Sequence, residues 1–328
     1  MLSFEDFAGQ SSHIERLRRD FAGGAQVHAY LFAGPRGTGK RSVALLCAMT
    51  AVCRGEEGKP CGVCGPCRRA LGGTHPDIHT VLPPKDKKSV GVDTMREVIA
   101  QVSVRAFEDG AKALIFPRAE LMTPAAQNAL LKTLEEPPQG TVFFLCTDQP
   151  ASLLRTVVSR CRVVRFHPLS VQDAANRLIA LGETPKLAME KARMADGCVG
   201  QALEIDDARL ALRQRLTQEA FSVREPGDAL AVVNAYKDER ELQAQALDVL
   251  EGAVRDILLA QSGSSSIEGT GYAPQAEAYA RSVPLTGGLA LYECVTCARK
   301  MLASNVAFAS AFETILLKVS EEYHRWPW

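Results

Sequence analysis

Two groups of residues have types and spacings suited to chemistry, and a third position stands out for what it lacks. Gly34-Pro35-Arg36-Gly37-Thr38-Gly39-Lys40-Arg41-Ser42 follows the apolar run Ala29–Ala33 and precedes a helical pattern in Val43, Ala44 and Leu46. That is the context of a phosphate-binding loop. In such a loop, free backbone N–H groups and the positive end of a helix dipole surround an anion, and a lysine adds a point charge. Gly34, Gly37, Gly39 and Lys40 are the candidate phosphate ligands. The hydroxyl that normally follows the lysine and ligates Mg²⁺ is replaced by Arg41. Ser42 falls about 100° further round a helix and would point elsewhere. Downstream, Cys53-x7-Cys61-x2-Cys64-x2-Cys67 places four thiols within fifteen residues rich in Gly and Pro. This set suits one tetrahedral zinc ion, in a structural role, because four sulfur ligands leave no open position. Acid ligands for a nucleotide-bound metal should follow the strand ending Ile115-Phe116, yet Pro117-Arg118 stands there. Neither residue can hold a metal or take a proton. Glu120, Glu135 and Glu136 read as solvated or packing carboxylates.

The elements that must position these groups follow from length and periodicity. At 328 residues the chain should form two or three domains. Thirty-eight basic residues balance thirty-eight acidic ones, so no global field argues for nucleic acid or membrane. Arg16-x-Arg18-Arg19, Arg68-Arg69 and the lysines at 85, 87 and 88 read as solvated faces. No secretory signal and no long apolar run is present, so a cytoplasmic protein with no membrane partner is expected. The ten cysteines then belong to a reducing compartment, where disulfides are disfavoured and zinc is favoured. Cys294-x2-Cys297 lies in an apolar helical stretch without two further partners and reads as helix core.

Ser12 and Glu15 have capping-box spacing before Ile14, Leu17 and Phe21, which predicts a first helix. Strands are expected at Tyr30–Ala33, Ile78–Leu82, Ala113–Phe116, Val142–Cys146 and Val163–Phe166. Helices between them are expected from the loop to Val52, after Thr94 (capped by Thr94 with Glu97), from Thr123-Pro124 to Pro137-Pro138, and at Leu153–Val158. Alternation of this kind predicts an α/β domain with a mostly parallel sheet. Beyond Pro168 the pattern is helical: short segments at Ser170–Leu181, Pro185–Ala195 and Gly200–Ile205, then longer ones near 208–222, 227–261, 273–282 and 287–320. The run from Ser262 to Gly271 is a low-complexity break expected to be a mobile loop.

Taken in order, His28-Ala29-Tyr30-Leu31-Phe32, the glycine loop, the four-cysteine insert, Gly73-Thr74-His75-Pro76-Asp77, Asn128-Ala129-Leu130-Leu131-Lys132-Thr133-Leu134-Glu135-Glu136-Pro137 and Ser159-Arg160-Cys161 resemble bacterial clamp-loader subunits of the AAA+ class. The resemblance is strong over residues 4–205 and fades to a match of length, plus the closing Asn305–Leu317 stretch, in the helical tail. It implies an α/β AAA+ domain at 1–168 carrying the zinc module (53–67), a small helical lid at 169–206 and an all-helical collar domain at 207–328 that joins subunits. It also implies a five-membered ring with ATPase subunits of the gamma/tau type and a delta-like subunit, acting on a sliding clamp and on primer-template DNA through the complex. Two kinds of member compete, an ATP-hydrolysing gamma/tau type and one that does not hydrolyse. Gly73–Asp77, Gly91-Val92-Asp93 and the length match the latter. In the lid, the arginine by which the motor type reaches its own γ-phosphate is replaced by Gly200, and Thr147 falls at the polar sensor position. Arg41, Pro117-Arg118 and Gly200 together predict a loop that could still cradle ATP or ADP but lacks intrinsic hydrolysis. Arg160 matches the family's arginine finger, which points at ATP held by a neighbouring subunit.

Overall fold

The computed structural model describes residues 3–326 apart from 56–57, 109–110, 239, 264–273 and 305. The expected break from Ser262 to Gly271 therefore lies mostly outside the described residues. The chain divides into two compact units, Met1–Leu178 with Ala195–Ala202, and Ile179–Met194 with Leu203–Trp328.

The first unit is built on five strands: β1 Ala29–Ala33, β2 Ile78–Thr80, β3 Lys112–Phe116, β4 Thr141–Thr147 and β5 Arg162–Arg165. Every pairing is parallel, in the order β2-β3-β4-β1-β5. β1, β3 and β4 are buried along their whole length, as expected for central strands covered on both faces. The helices of this unit are α1 Ser11–Ala22, α2 Lys40–Val52, α3 Gly65–Leu71, α4 Val92–Ser103, α5 Pro124–Glu135, α6 Arg155–Val158, α7 Val171–Ala180 (whose last residues pass into the second unit) and α9 Val199–Ala202. On one face, Ile14, Leu17 and Phe21 of α1 and Val43, Ala44 and Cys47 of α2 pack on Tyr30, Phe32 and Phe144. On the other, Met95 and Val102 of α4 and Leu130 and Leu134 of α5 pack on Leu31, Phe143 and Leu145. Adjacent strand residues thus serve opposite faces, as pleating demands.

Two local expectations change. α4 starts after Gly91, without a side-chain cap, so Thr94 sits inside the first turn instead of capping it. α3 was legible only as a zinc loop, yet Pro66 in its first turn and Cys67 anchored in the core make it a helix. α5 keeps its expected cap, with the Thr123 hydroxyl accepting the Ala126 N–H at 3.2 Å.

The second unit is helical: α8 Pro185–Met194, α10 Asp207–Phe221, α11 Pro226–Tyr236, α12 Arg240–Gln261, α13 Pro274–Ser282, α14 Leu285–Ala303 and α15 Phe308–Arg325. The stretches 227–261 and 287–320 are each two helices instead of one. The breaks let α11 and α15 turn Val233, Tyr236, Phe312 and Ile315 into a single core with Leu216, Phe221 and Leu250. The first break carries Lys237 and Asp238 and the second Ser304, polar residues that the solvent face of a continuous helix also carries, so periodicity did not mark them. Among the described residues no helix is long and apolar enough to cross a membrane.

Candidate functional site

The glycine loop joins β1 to α2 at the carboxyl end of the sheet. Gly37 and Gly39 have φ of 80° and 89°, a region that glycine enters without strain. Lys40 is buried at 8 % exposure. Its Nζ donates to the carbonyls of Gly34 (2.6 Å) and Pro35 (2.7 Å). Burial lowers its pKa, opposed by the fields of Cys146, Asp148 and Glu120.

Two further elements close on the loop. A 3-10 segment, Phe4–Gln10, brings the Phe7 ring to 2.5 Å from where a Cβ on Gly39 would sit. From the other side, the first turn of α9 lies directly against the glycines. The Gly200 N–H donates to the Gly37 carbonyl at 2.9 Å, and the Gln201 side-chain amide donates to the Arg36 carbonyl at 2.7 Å. A Cβ on Gly200 would meet Gly37 Cα and O at 2.9 Å. The position where an arginine would reach a phosphate therefore has no room for any side chain.

Directly after β3, Pro117 and Arg118 stand where the acids of a metal site are expected. Arg118 after β3 is exposed, and its Nε lies 3.3 Å from Glu120 Oε1. The Glu120 side chain is 6 % exposed, a packing carboxylate more than a solvated one. Thr147 is buried, and its hydroxyl accepts the Gln149 N–H at 3.0 Å, so it caps its own turn. Arg41 is exposed on α2 and turns toward the sheet edge beside Leu45.

Arg160 follows α6, at the start of the turn into β5. One guanidinium nitrogen donates to the Thr156 carbonyl at 2.8 Å, and another pairs with the Glu135 carboxylate at the end of α5. The side chain is 32 % exposed, so it is positioned at the surface by partners that water can replace. Cys161 next to it is half-buried, and loss of solvent pushes its thiol up to about 12.

The four cysteines converge. Cys53 caps the end of α2, Cys67 lies in α3, and all four sulfurs lie within 4.8 Å of one another. A tetrahedron of Zn–S bonds of about 2.3 Å needs sulfurs about 3.8 Å apart, so a small contraction completes it. Backbone N–H groups already point at the sulfurs: Gly55 and Cys61 donate to Cys53 Sγ at 3.3 Å, and Cys64 donates to Cys61 Sγ at 3.4 Å. Those from Cys64 and Val63 lower the Cys61 pKa to about 6. A Cys61 thiolate stabilised in this way suits a metal ligand, whereas burial pushes the Cys67 thiol up, which a bound cation would have to offset. Cys294 and Cys297 lie on α14 in the second unit, outside this set.

One constellation escaped sequence reasoning. The Asp77 carboxylate accepts the N–H groups of Phe107 (2.8 Å) and Glu108 (3.0 Å). Glu108 in turn pairs with Arg69 and, at 3.2 Å, with Arg54, both flanking the cysteines. His75 Nδ1 accepts the Asp77 N–H at 3.1 Å, and burial lowers the His75 pKa against the pull of Glu108. The Gly73–Asp77 motif thus ties the four-cysteine segment and β2 to the loop before β3. A buried aspartate 30 residues from its partners leaves no local signal in the sequence.

A parallel sheet of this order, with a phosphate loop after its first strand and a helical lid turn returning to that loop, defines an α/β AAA+ domain. A family model described as DNA polymerase III, delta subunit, matches residues 9–170. The chain is 35 % identical over 245 residues to DNA polymerase III subunit delta' of Bacillus subtilis (strain 168), covering 72 % of this chain and 73 % of that one. It is 36 % identical over 236 residues to the delta' subunit of Escherichia coli (strain K12), covering 69 % of each. It is also similar to DNA polymerase III subunit tau of Bacillus subtilis (strain 168), at 32 % identity over 63 % of this chain and 38 % of that one. The chain belongs to the delta' family of DNA polymerase III subunits.

Proposed function

We propose that this chain is a clamp-loader subunit that neither binds nor hydrolyses ATP itself and lends Arg160 in trans to ATP held by an adjacent ATPase subunit of the gamma/tau type. In this reading the second unit, residues 207–328 above all, joins it to a ring of five that includes a delta-like subunit. The ring opens a sliding clamp and loads it on primer-template DNA.

The observation that carries the reading is the contrast between the two sites. Two of the three Lys40 donors are taken by the carbonyls of its own loop, and Gly200 lies against Gly37, so an entering phosphate would have to displace several protein contacts at once. The metal-binding hydroxyl and acids are replaced by Arg41 and Pro117-Arg118. Arg160 needs nothing from that site. Its partner Glu135 is 48 % exposed, and an exposed ion pair is worth under about 1 kcal/mol, little enough to exchange for a phosphate.

An arginine placed in trans stabilises charge on the transferring phosphoryl group and is worth about 10³–10⁵ in rate at the site it serves. The test is reconstitution with the ATPase partners, sliding clamp and primed DNA. Arg160→Ala should assemble normally and lower stimulated ATP turnover; unchanged turnover would overturn the reading.

A further inference from the structure

Arg41, which displaces the usual magnesium ligand, lines a groove of about 650 Å³ along the outer edge of the sheet. The floor is β2, an edge strand paired with β3 alone. The Ala113 N–H donates to the Asp77 carbonyl at 2.9 Å and the Val81 N–H to the Ile115 carbonyl at 2.8 Å. The odd-numbered residues therefore serve β3, and a parallel ladder turns the backbone groups of Ile78 and Thr80 outward. The Ile78 N–H is taken by the His75 carbonyl at 3.3 Å. The Thr80 N–H and the carbonyls of Ile78 and Thr80 have no hydrogen-bond partner among the described residues.

The walls have the shape an added strand requires. α2 and α3 overhang from one face of the sheet and contribute Arg41, Leu45 and Leu71, while α4 overhangs from the other and contributes Thr94 and Val98. Two of the lining leucines, Leu71 and Leu82, stay 41 % and 50 % exposed. Among the described residues no carboxylate lines the groove, whereas Arg41 does. The segment leaving β2 carries exposed Lys85, Lys87 and Lys88 against one acid, Asp86.

We propose that this groove binds an extended acidic segment of a partner protein, which adds to β2 as a sixth strand. Main-chain hydrogen bonds to Ile78 and Thr80 hold the segment, and alternate side chains divide the remaining work. Apolar ones on the α4 side rest on Val98, while side chains on the α2 and α3 side set carboxylates against Arg41; Leu82 and the lysines lie just past the end of β2. The charge pattern selects a partner over a second copy of this chain, because β2 paired with another β2 would bring like-charged flanks together. The inference is independent of the role given to Arg160, which lies beyond β1 toward the opposite edge of the sheet.

The test pans a displayed library of random ten-residue peptides on the full chain, then follows amide exchange with the enriched peptides. Enriched sequences should alternate apolar and acidic residues, lose about tenfold in affinity on Arg41→Glu, as expected for a reversed charge pair, and slow exchange at the Thr80 amide. Absence of enrichment, enrichment of basic peptides, indifference to Arg41→Glu, or an unprotected Thr80 amide at saturating peptide would each overturn the proposal.

Discussion

Lys40 and Gly200 decide the chemistry of the glycine loop one residue at a time. The lysine's ammonium already has two carbonyls within 2.7 Å, so two of its three donors are engaged without an anion. Gly200 is where a catalytic arginine would be restored, but its Cβ would stand 2.9 Å from Gly37 backbone atoms. Backbone cannot yield as a flexible side chain can. Gly200→Arg should therefore behave as an overpacking change, costing about 1–3 kcal/mol, with a measurable fall in melting temperature. It should not create an ATPase, because Arg41, Pro117 and Arg118 remain; Mg-dependent phosphate release by the purified variant would contradict this.

At the scale of elements, the four-cysteine set and the last helix each offer one group on which stability would turn. The four thiols hold the end of α2 to α3, and metal binding to such sets is worth on the order of 10 kcal/mol of local folding. Elemental analysis of the purified chain should find one zinc ion, and Cys64→Ser should lose it together with thermal stability. A metal-free wild type would sink the assignment. In α15, Glu322 is fully buried. It faces Lys318 at 2.8 Å and Arg325 at 3.6 Å, and it accepts the Trp326 indole N–H at 3.2 Å. Burial pushes its pKa up, but Lys318, Trp326 and Arg325 outweigh burial and hold the carboxyl below its ordinary value. A folded pKa below the unfolded one stabilises at neutral pH, and that contribution disappears as the pH falls through the folded value. The helical unit should lose stability on acidification below about pH 4.3, the ordinary glutamate range. Glu322→Gln should be about 1–3 kcal/mol less stable at pH 7 and show a shallower acid loss in denaturant melts.

For the whole molecule, the closed loop predicts indifference to nucleotide. A ligand at a hundred times its dissociation constant stabilises a protein by about 2.7 kcal/mol, which a melting curve registers easily. Millimolar MgATP should leave the melting temperature of the isolated chain unchanged, whereas a clear rise would show that α9 and Phe7 yield to phosphate. Under the proposed role, the chain contributes to ATP turnover only in complexes with its partners, through Arg160.

The sequence by itself determined which groups exist and which are missing. Strand positions, the Gly34–Lys40 loop, the Cys53–Cys67 spacing and the replacements at Arg41, Pro117-Arg118 and Gly200 are local signals, each read within one element or one turn. Tertiary structure alone decided where those groups point. It placed Lys40 on its own carbonyls, closed the loop with Phe7 and Gln201, set Arg160 on Glu135, turned Arg41 to the edge of β2, and gave Asp77 its partners at Phe107 and Glu108. It also broke the 227–261 and 287–320 stretches into pairs of helices. These are contacts between residues far apart in the chain, and neither periodicity nor spacing carries information about them. The expectation of lost ATP hydrolysis thus rests on residue types legible in the sequence, while the close packing of Gly200 on Gly37 emerged only in the tertiary structure.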